Sequence, residues 1–521
     1  MAGPDALALR KRSRRLIGTL LFRADASVAI GTGHVMRCLA LAQAWQDLGG
    51  KAVFACAALP DALKARLQAE SCSPVLLQTL TGSDDDAKQT ADLAKRLGLH
   101  WIVVDGYEFS AGYQALLQEN GFKILVIDDH GHAGTYSADI VLDVNLDARE
   151  SMYRNCGADA RLLLGHRYVL LRREFIEWRK WKREISQIAT HLLVSMGGSD
   201  PDNLTLGCLD VLAGFTRLKV TVAVGGGNPH LARLRETAAR YPETIVLKEN
   251  AANMPELMAN ADLGLIAAGG TSYEAVFLGL PMLVVSAAPN QMPVAAELER
   301  RGIAINLGAG AKLAAQRLAD ELTNLIGSAQ VRENLSRSGR ALIDGGGAMR
   351  VARAIRWHGI RLREALESDA RTLWELANDE AVRSASFSPQ PIPWDQHEVW
   401  FRNKLADSNC RFLIAEDSSA VIGQVRLQMG ADGQGEIGAS LRADRRGGGL
   451  GSHLIERAAE KWLRNEIASG VHAYIRSENR SSQRAFENAG FTSCGECMVK
   501  GAAAVHYVRL ADRTSASRKD E

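Results

Sequence analysis

Short apolar runs alternate with helical patterns along the first two thirds of the chain, and the runs are nearly continuous in aliphatic residues. Residues 16–22, 52–55, 101–104, 123–127 and 140–142 read as strands. Strands apolar on both faces and separated by helices predict a parallel sheet covered on both sides. The pattern restarts at Thr190, with strands expected at 191–195, 218–224, 244–247, 263–267 and 282–286. Two Rossmann-like α/β domains in series are therefore expected, over 16–170 and 171–355. In such sheets ligands lie beyond the carboxyl ends of the strands. Past a linker at 356–359 the pattern changes. Residues 411–416 and 421–427 read as a hairpin and 435–441 as a further strand. A glycine loop then leads into a helix over 452–464 and a strand at 471–475. That order predicts a smaller α+β domain over 360–511, with a leader at 1–15 and a tail at 512–521.

Composition narrows the class. The 521 residues carry 62 Lys+Arg against 60 Asp+Glu, a net charge of +2, with 46% hydrophobic and 23% charged residues. This is the balance of an ordinary globular protein with several cores, and it excludes wholesale disorder. Nucleic-acid binding is not expected, because the dense basic cluster at 10–15 reads as a solvated leader. The apolar stretch after it is interrupted by Arg23 and Asp25 and lacks a cleavage site, so it is not read as a signal peptide. No run approaches the roughly 18 to 20 apolar residues of a membrane span. Eight cysteines scattered through a long chain fit a reducing cytoplasm. Cys494 and Cys497 form a lone close pair without further ligands, and His130, His132 and His166 read as loop or surface residues; no metal is expected.

The chemistry-bearing residues fall where the expected strands end. Gly31-Thr-Gly33-His34-Val-Met-Arg37 opens an apolar helix. The glycines let backbone approach a ligand, and a histidine at a helix N-terminus is favoured in its neutral, proton-accepting form. A glycine turn with an incidental histidine fits the same string. Asp105-Gly-Tyr107 and Asp128-Asp129-His130 follow two other strands, as sites or as caps. In the second domain, Gly197-Gly198-Ser199-Asp200 and Gly225-Gly226-Gly227-Asn228 close the first two strands. Ala268-Gly269-Gly270-Thr271-Ser-Tyr-Glu274 opens a helix, and Asn290-Gln291 follows the next strand. Two glycines and a hydroxyl at a helix start can hold diphosphate oxygens, and a carboxylate one turn on can hold ribose hydroxyls.

These segments, taken with Arg23-Ala-Asp25 and Asp200-Pro-Asp-Asn203, resemble the two-Rossmann-domain (GT-B type) nucleotide-sugar enzymes. More closely, they resemble the pseudaminic acid pathway hydrolases that release UDP from UDP-2,4-diacetamido-2,4,6-trideoxy-β-L-altropyranose. The resemblance implies hydrolysis at the anomeric carbon, with His34 as base or water-orienting group and Tyr107 and Asn290 as catalytic neighbours. It implies substrate contacts from Gly33, Arg37, Asp105, Gly198, Ser199, Gly270, Thr271, Glu274 and Gln291. A single base suffices chemically, because a nucleoside diphosphate leaves without the protonation an alcohol needs. Water attacking opposite the UDP would invert C1.

In the third domain, Arg446-Gly447-Gly448-Gly449-Leu450-Gly451 follows a meander and opens a helix. It lacks the Lys-Ser/Thr ending of a P-loop and the parallel context of a dinucleotide site. The string resembles the acetyl-CoA loop of the GNAT N-acetyltransferase superfamily, as does the later Asn479-Arg-Ser-Ser482 segment. The resemblance implies acetyl-CoA as cosubstrate, held by Arg446, Gly447, Gly449, Gly451, Asn479 and Ser482. Phe486 stands where many members carry the tyrosine that protonates the departing thiolate. Tyr474 and Tyr507 are alternatives for that acid, and Glu436 is a candidate base.

The fusion carries its own expectation. A hydrolase substrate with two N-acetyl groups needs an acetyltransferase upstream. The third domain is therefore expected to acetylate the C4 amine of UDP-4-amino-4,6-dideoxy-N-acetyl-β-L-altrosamine before the first two hydrolyse the product. UDP-sugars and acetyl-CoA are the expected partners, without nucleic acid or membrane span. A GT-B glycosyltransferase joined to a GNAT domain of other acceptor specificity is the rival, and a catalytically dead nucleotide-sugar sensor the other class.

Overall fold

The computed structural model describes residues 17–157, 159–464 and 467–511; the basic cluster at 10–15 and the tail at 512–521 lie outside them. The chain divides after Ala352 into two compact units.

The first unit contains two parallel sheets. In one, β1 (Thr19–Ala24), β2 (Lys51–Cys56), β3 (Ser73–Leu76), β4 (Trp101–Asp105), β5 (Lys123–Asp128), β6 (Ile140–Asp143) and β7 (Arg161–Leu164) run in the order β3-β2-β1-β4-β5-β6-β7. In the other, β8 (His191–Ser195), β9 (Lys219–Val224), β10 (Ile245–Glu249), β11 (Leu263–Ala267), β12 (Met282–Ser286) and β13 (Ala304–Ala309) run β10-β9-β8-β11-β12-β13. Each sheet reverses its winding at its first strand, β1 or β8, which makes the loop after that strand a topological switch point. The His34 loop follows β1 and the Gly197 loop follows β8.

The apolar runs mark the central strands and the edge strand β10, and the most central are buried almost throughout: β1, β4, β11 and β12 have at most one residue short of full burial. The runs do not mark β3, β7 or β13, all at sheet edges. β3 (SPVL) has no fully buried residue and begins Ser-Pro, and an edge strand packs fewer apolar side chains and tolerates proline. Leu21, Val104, Phe109, Tyr113 and Val126 anchor the first core. Leu192, Val222, Leu265 and Leu283 anchor the second, with Leu318, Leu322 and Leu325 from helix Ala315–Gly327. Arg23 is also interior: its guanidinium donates to both oxygens of Asp25 and of Asp86, at 2.7 to 2.9 Å. The Arg-Ala-Asp string is thus a buried ion-pair brace under the sheet.

The second unit is one mixed sheet. β14 (Arg361–Glu364), β15 (Cys410–Asp417), β16 (Ala420–Met429), β17 (Gln434–Leu441), β18 (Gly470–Arg476), β19 (Thr492–Val499) and β20 (Ala502–Leu510) run β14-β15-β16-β17-β18-β20-β19. Among these neighbours, β17 and β18 pair parallel and the others antiparallel. One face packs Leu413, Val425, Ile437 and Val471 against Leu454, Ala458 and Trp462 of helix Leu450–Arg464. The other packs Phe412 and Ile414 against Leu373, Leu376 and Phe401. β14, β19 and β20 are further strands that the apolar pattern does not single out. β19 (TSCGECMV) has no buried residue, so no alternation betrays it.

The pairing of β17 with β18 is short. It runs through Gln434↔Gly470, Gly435↔Val471 and Glu436↔His472 and then stops. β16 stays paired with β17 as far as Leu441, and β20 with β18 as far as Arg476. The sheet therefore opens as a V with Glu436 and His472 at its vertex.

Candidate active sites

His34 lies in the first turn of helix Gly33–Asp47, whose apolar face, including Val35, Leu39 and Ala42, is buried. The helix start is fixed at the carboxyl end of β1, next to β4 in the sheet. That register brings Asp105, the last residue of β4, to 2.6 Å from His34 Nδ1 through its Oδ1. Arg37, one turn further along, donates to Asp105 Oδ2 from Nε at 2.7 Å and to Oδ1 from Nη2 at 2.6 Å. Its Nη1 reaches Asp129 Oδ1 at 2.5 Å. Burial would raise the Asp105 carboxyl, but the Arg37 guanidinium and the imidazole override it and hold it well below the usual carboxylate range. An ionised carboxylate only accepts, so the proton of the 2.6 Å contact sits on Nδ1, and Nε2 is the ring nitrogen that does not face Asp105.

Tyr107 stands over this pair, its ring edge-on to His34 with centroids 5.2 Å apart. Its hydroxyl donates to Asp129 Oδ2 at 2.6 Å and accepts from Asn290 Nδ2 at 2.7 Å. Burial and the neighbouring Asp129 raise the phenol, which keeps it protonated. Asn290 belongs to the second sheet, in the turn Pro289–Gln291 after β12, so this hydrogen bond joins the two sheet ends. Tyr273, in helix Gly270–Phe277, makes a second join: its hydroxyl donates to Asn145 Oδ1 at 3.2 Å, and Asn145 Nδ2 donates to the Asp129 carbonyl at 2.9 Å.

The switch-point loops also meet. A methyl group at Gly198 would stand 2.3 Å from Thr32 Oγ1, and one at Gly31 would stand 3.7 Å from Ser199 Oγ. Gln291 is next to the glycine turn, since a Cβ on Gly269 would lie 3.4 Å from its Nε2. Gly270 and Thr271 sit in the first turn of helix Gly270–Phe277, where amides lack intrahelical partners. Glu274 accepts from Arg172 Nη2 at 2.8 Å and Nε at 3.2 Å, both at Oε1. Gly33, His34, Arg37, Asp105, Tyr107, Gly198, Ser199, Gln291 and Asn290 are thus drawn together, with Gly270, Thr271 and Glu274 on the adjoining helix.

Several members of this cluster belong to no motif along the chain. His132 lies in a loop, as read, but its Nδ1 is 2.6 Å from Asp128 Oδ2 and its ring is edge-on to Tyr107 at 5.4 Å. Asp128 also accepts from Tyr136 at 2.5 Å and Tyr153 at 3.2 Å. Its four-residue spacing to His132 directly after a strand is the one signal that could have found the pair. Arg172, Asn145 and Tyr153 carry no such signal. A separate cavity of about 550 Å³ opens at the amino ends of β1 to β3, beside Thr19, Lys51 and Ser73, the opposite end from His34.

In the second unit, Gly447 and Gly449 adopt φ of +88° and +79°, a backbone that side-chain-bearing residues rarely take. They turn the chain from β17 into helix Leu450–Arg464, with Gly451 in its first turn. Arg446 braces the loop, donating to the Leu441 carbonyl at 2.9 Å and to Asp379 Oδ1 at 2.6 Å. Asn479 caps helix Arg480–Asn488 by accepting from the Ser482 amide at 3.1 Å. Both helix starts follow the carboxyl ends of β17 and β18, the open end of the V. Glu436, exposed, is at the vertex. Tyr474 is 37% exposed. Tyr507 is buried on the opposite face, its hydroxyl donates to Glu487 Oε1 at 3.0 Å, and burial pushes it up to about 12. Phe486 is a core residue, edge-on to Phe491 at 5.0 Å. Cys494 and Cys497 are free thiols on β19, and among the described residues no three His, Cys, Asp or Glu side chains gather as a metal site. Nor is any described helix long and apolar enough to cross a membrane.

Residues 360–492 match the acetyltransferase (GNAT) domain family. The chain is 28% identical over 286 residues to the UDP-2,4-diacetamido-2,4,6-trideoxy-beta-L-altropyranose hydrolase of Campylobacter jejuni, covering 54% of this chain and 97% of the relative. It is 27% identical over 237 residues to the spore coat polysaccharide biosynthesis protein SpsG of Bacillus subtilis, covering 45% and 69%. An uncharacterized protein of Methanocaldococcus jannaschii, MJ1062, is 23% identical over 496 residues and covers 90% of this chain and 95% of its own. The chain thus joins a region homologous to the UDP-2,4-diacetamido-2,4,6-trideoxy-β-L-altropyranose hydrolase to a C-terminal domain of the GNAT acetyltransferase family.

Proposed function

We propose that the chain is a bifunctional enzyme of pseudaminic acid biosynthesis. Its GNAT domain transfers acetyl to the C4 amine of UDP-4-amino-4,6-dideoxy-N-acetyl-β-L-altrosamine. Its paired Rossmann-like domains then hydrolyse the resulting UDP-2,4-diacetamido-2,4,6-trideoxy-β-L-altropyranose to UDP and the free sugar. The observation that carries the hydrolase reading is the chain Asp105–His34 beside Tyr107–Asn290, assembled from the ends of both sheets.

In this reading His34 Nε2 accepts a proton from water as the water oxygen attacks C1. Asp105 holds the ring through Nδ1 and stabilises the imidazolium that forms. The C1–O bond breaks with its electron pair going to the diphosphate. Gly270 and Thr271 meet that charge with first-turn amides, a hydroxyl and the positive end of the helix. Glu274 and Gln291 hold the ribose and neighbouring groups, while Gly33, Arg37, Gly198 and Ser199 shape the opposite wall. Attack opposite the UDP inverts C1.

In the GNAT domain, acetyl-CoA supplies a thioester whose carbonyl is open to an amine. The residues present fit its carrier. The turn Gly447–Gly449 and the capped helix start at Asn479 and Ser482 suit the diphosphate, with Arg446 bracing the turn. The unpaired edges of β17 and β18 suit the amides of its arm, as an added strand would. Glu436, at the far end of that opening, is the candidate base.

The test is a mass-spectrometric time course with the amino sugar nucleotide, with and without acetyl-CoA, beside His34→Ala. Acetyl-CoA-dependent formation of the diacetamido sugar and UDP is expected, with the variant stalling at the acetylated UDP-sugar. If the acetylated UDP-sugar, supplied directly, yields no UDP with the native chain, the hydrolase reading is lost and a glycosyltransferase takes its place.

A further inference from the structure

The vertex of the opened sheet holds more than Glu436. His472 is its register partner on β18, and strand alternation puts both side chains on one face. Tyr474, two residues along, shares that face, and His506 of β20 pairs with Tyr474 in register. The two imidazoles lie edge to edge and nearly coplanar, with centroids 5.0 Å apart and 9° between planes, and His472 Nδ1 is 2.8 Å from His506 Nε2. The Tyr474 ring lies nearly parallel to that of His506, with centroids 4.7 Å apart and 10° between planes. A 2.8 Å contact between two ring nitrogens holds one proton, with one ring donating and the other accepting. Both rings are partly exposed, so the pair is a surface feature at the vertex and no part of the core.

We infer that His472 and His506 form a shared-proton pair that removes the proton of the acceptor ammonium, making them catalytic residues of acetyl transfer and the base in place of Glu436. This rests on the acetyltransferase reading proposed above. The position follows from the layout of the V. The diphosphate-binding turns are at its open end, and β17 runs five residues from Leu441 back to Glu436, about 17 Å at the usual strand rise. A coenzyme arm entering along the opening brings its thioester toward the vertex, where the imidazoles wait.

The step balances. An ammonium gives one proton to the imidazole pair, and the freed amine attacks the thioester carbonyl. The C–S bond then breaks with its electron pair on sulfur, and the remaining surplus N–H proton goes to that thiolate to give the thiol. The pair returns its proton to solvent. Burial and the neighbouring His506 lower His472, while Asp432 and Glu436 oppose them; the ring is therefore neutral and able to accept at physiological pH.

The experiment uses the full chain with His472→Gln, His506→Gln and the double variant. Thiol release from acetyl-CoA with the amino sugar nucleotide is followed from pH 6 to 9, and imidazole titrations are followed by NMR without ligand. The expected result is a fall in kcat of about a hundredfold at pH 7, with KM for acetyl-CoA unchanged. The deficit should shrink toward pH 9, where the amine loses its proton unaided. In the NMR titration, His506→Gln should move His472 upward toward an ordinary histidine. Variants that match the native rate at pH 7 would overturn the inference, as would two histidines titrating independently. No thiol release by the native chain, with acetyl-CoA binding intact, overturns instead the acetyl-transfer reading, and the catalytic role with it. Unchanged melting temperature and acetyl-CoA affinity separate a catalytic loss from misfolding.

Discussion

The two parallel sheets wind alike and finish differently. At the carboxyl end of the first sheet stand Asp105, Asp128, Asp129, Asp143, His34, His132, Arg37 and three tyrosines, bonded to one another at 2.5 to 3.2 Å. At the end of the second stand glycine turns, Ser199, Thr271 and Asn290, with Asp200 spent on capping helix Leu204–Leu212 through the amides of Leu204 and Thr205. One end is rich in groups that move or hold protons; the other is rich in backbone donors that meet negative charge without moving. The hydrolysis proposed above, with its anionic leaving group, would draw on both.

Variants on each side should break this contrast in different ways. The largest effect is expected from His34→Gln, which keeps the polarity and removes the proton acceptor. UDP release should fall by about 10² to 10⁴ in kcat, while UDP affinity, read by calorimetry, stays within about twofold. An equal loss in affinity would mean that the first sheet end also binds the nucleotide.

Next is Asp143, buried at the end of β6 between the Tyr153 hydroxyl at 2.8 Å and the Asn145 amide at 2.9 Å. Burial, reinforced by Asp129 and Asp128, pushes its carboxyl up to about 7 from an ordinary 3.8. Between pH 4 and pH 7 the folded chain keeps this proton and the unfolded chain does not. Stability therefore falls as pH rises through that window and levels off above it, by at most about 4 kcal/mol. Asp143→Asn should remove that slope and raise the melting temperature at pH 8. A lower melting temperature at pH 8 would show that the charged form is stabilised in place.

On the second sheet the expected effects are smaller. A methyl at Gly225 would stand 2.1 Å from the Gly198 carbonyl oxygen, a backbone atom that cannot swing away. Gly225→Ala should cost about 1 to 3 kcal/mol in urea unfolding of the first unit, with the loops after β8 and β9 forced apart. Thr271→Val, finally, should weaken UDP binding by about tenfold through one lost hydrogen bond and lower kcat by less than His34→Gln does, since the amides of the helix start still meet the leaving charge. A fall in kcat as large as that of His34→Gln would erase the contrast between the two sheet ends.

Much of this was legible along the chain. Central strands were marked because a strand buried on both faces must be apolar throughout, and His34, Asp105 and Asn290 each follow such a strand. The edge strands β3, β7 and β13 were not, each burying too few residues to stand out, although the edge strand β10 was marked by its aliphatic run. His132 read as a loop residue because nothing in a loop's sequence says which way its ring turns. Arg172, which grips Glu274, sits in the segment between the sheets and belongs to no motif. In the second unit the glycine turn was readable and the exposed strand β19 was not.

What the sequence alone determined is therefore periodic or local: two parallel sheets, a smaller mixed sheet, the loops after their strands, and the glycines that permit tight turns. What only the tertiary structure decided is convergence. Tyr107 and Asn290 are 183 residues apart, and His472 and His506 are 34 apart on different strands. Their contacts depend on strand order and on the point at which β17 and β18 part. Those are set by the packing of whole layers, a sum over many weak contacts that no short string of residues records.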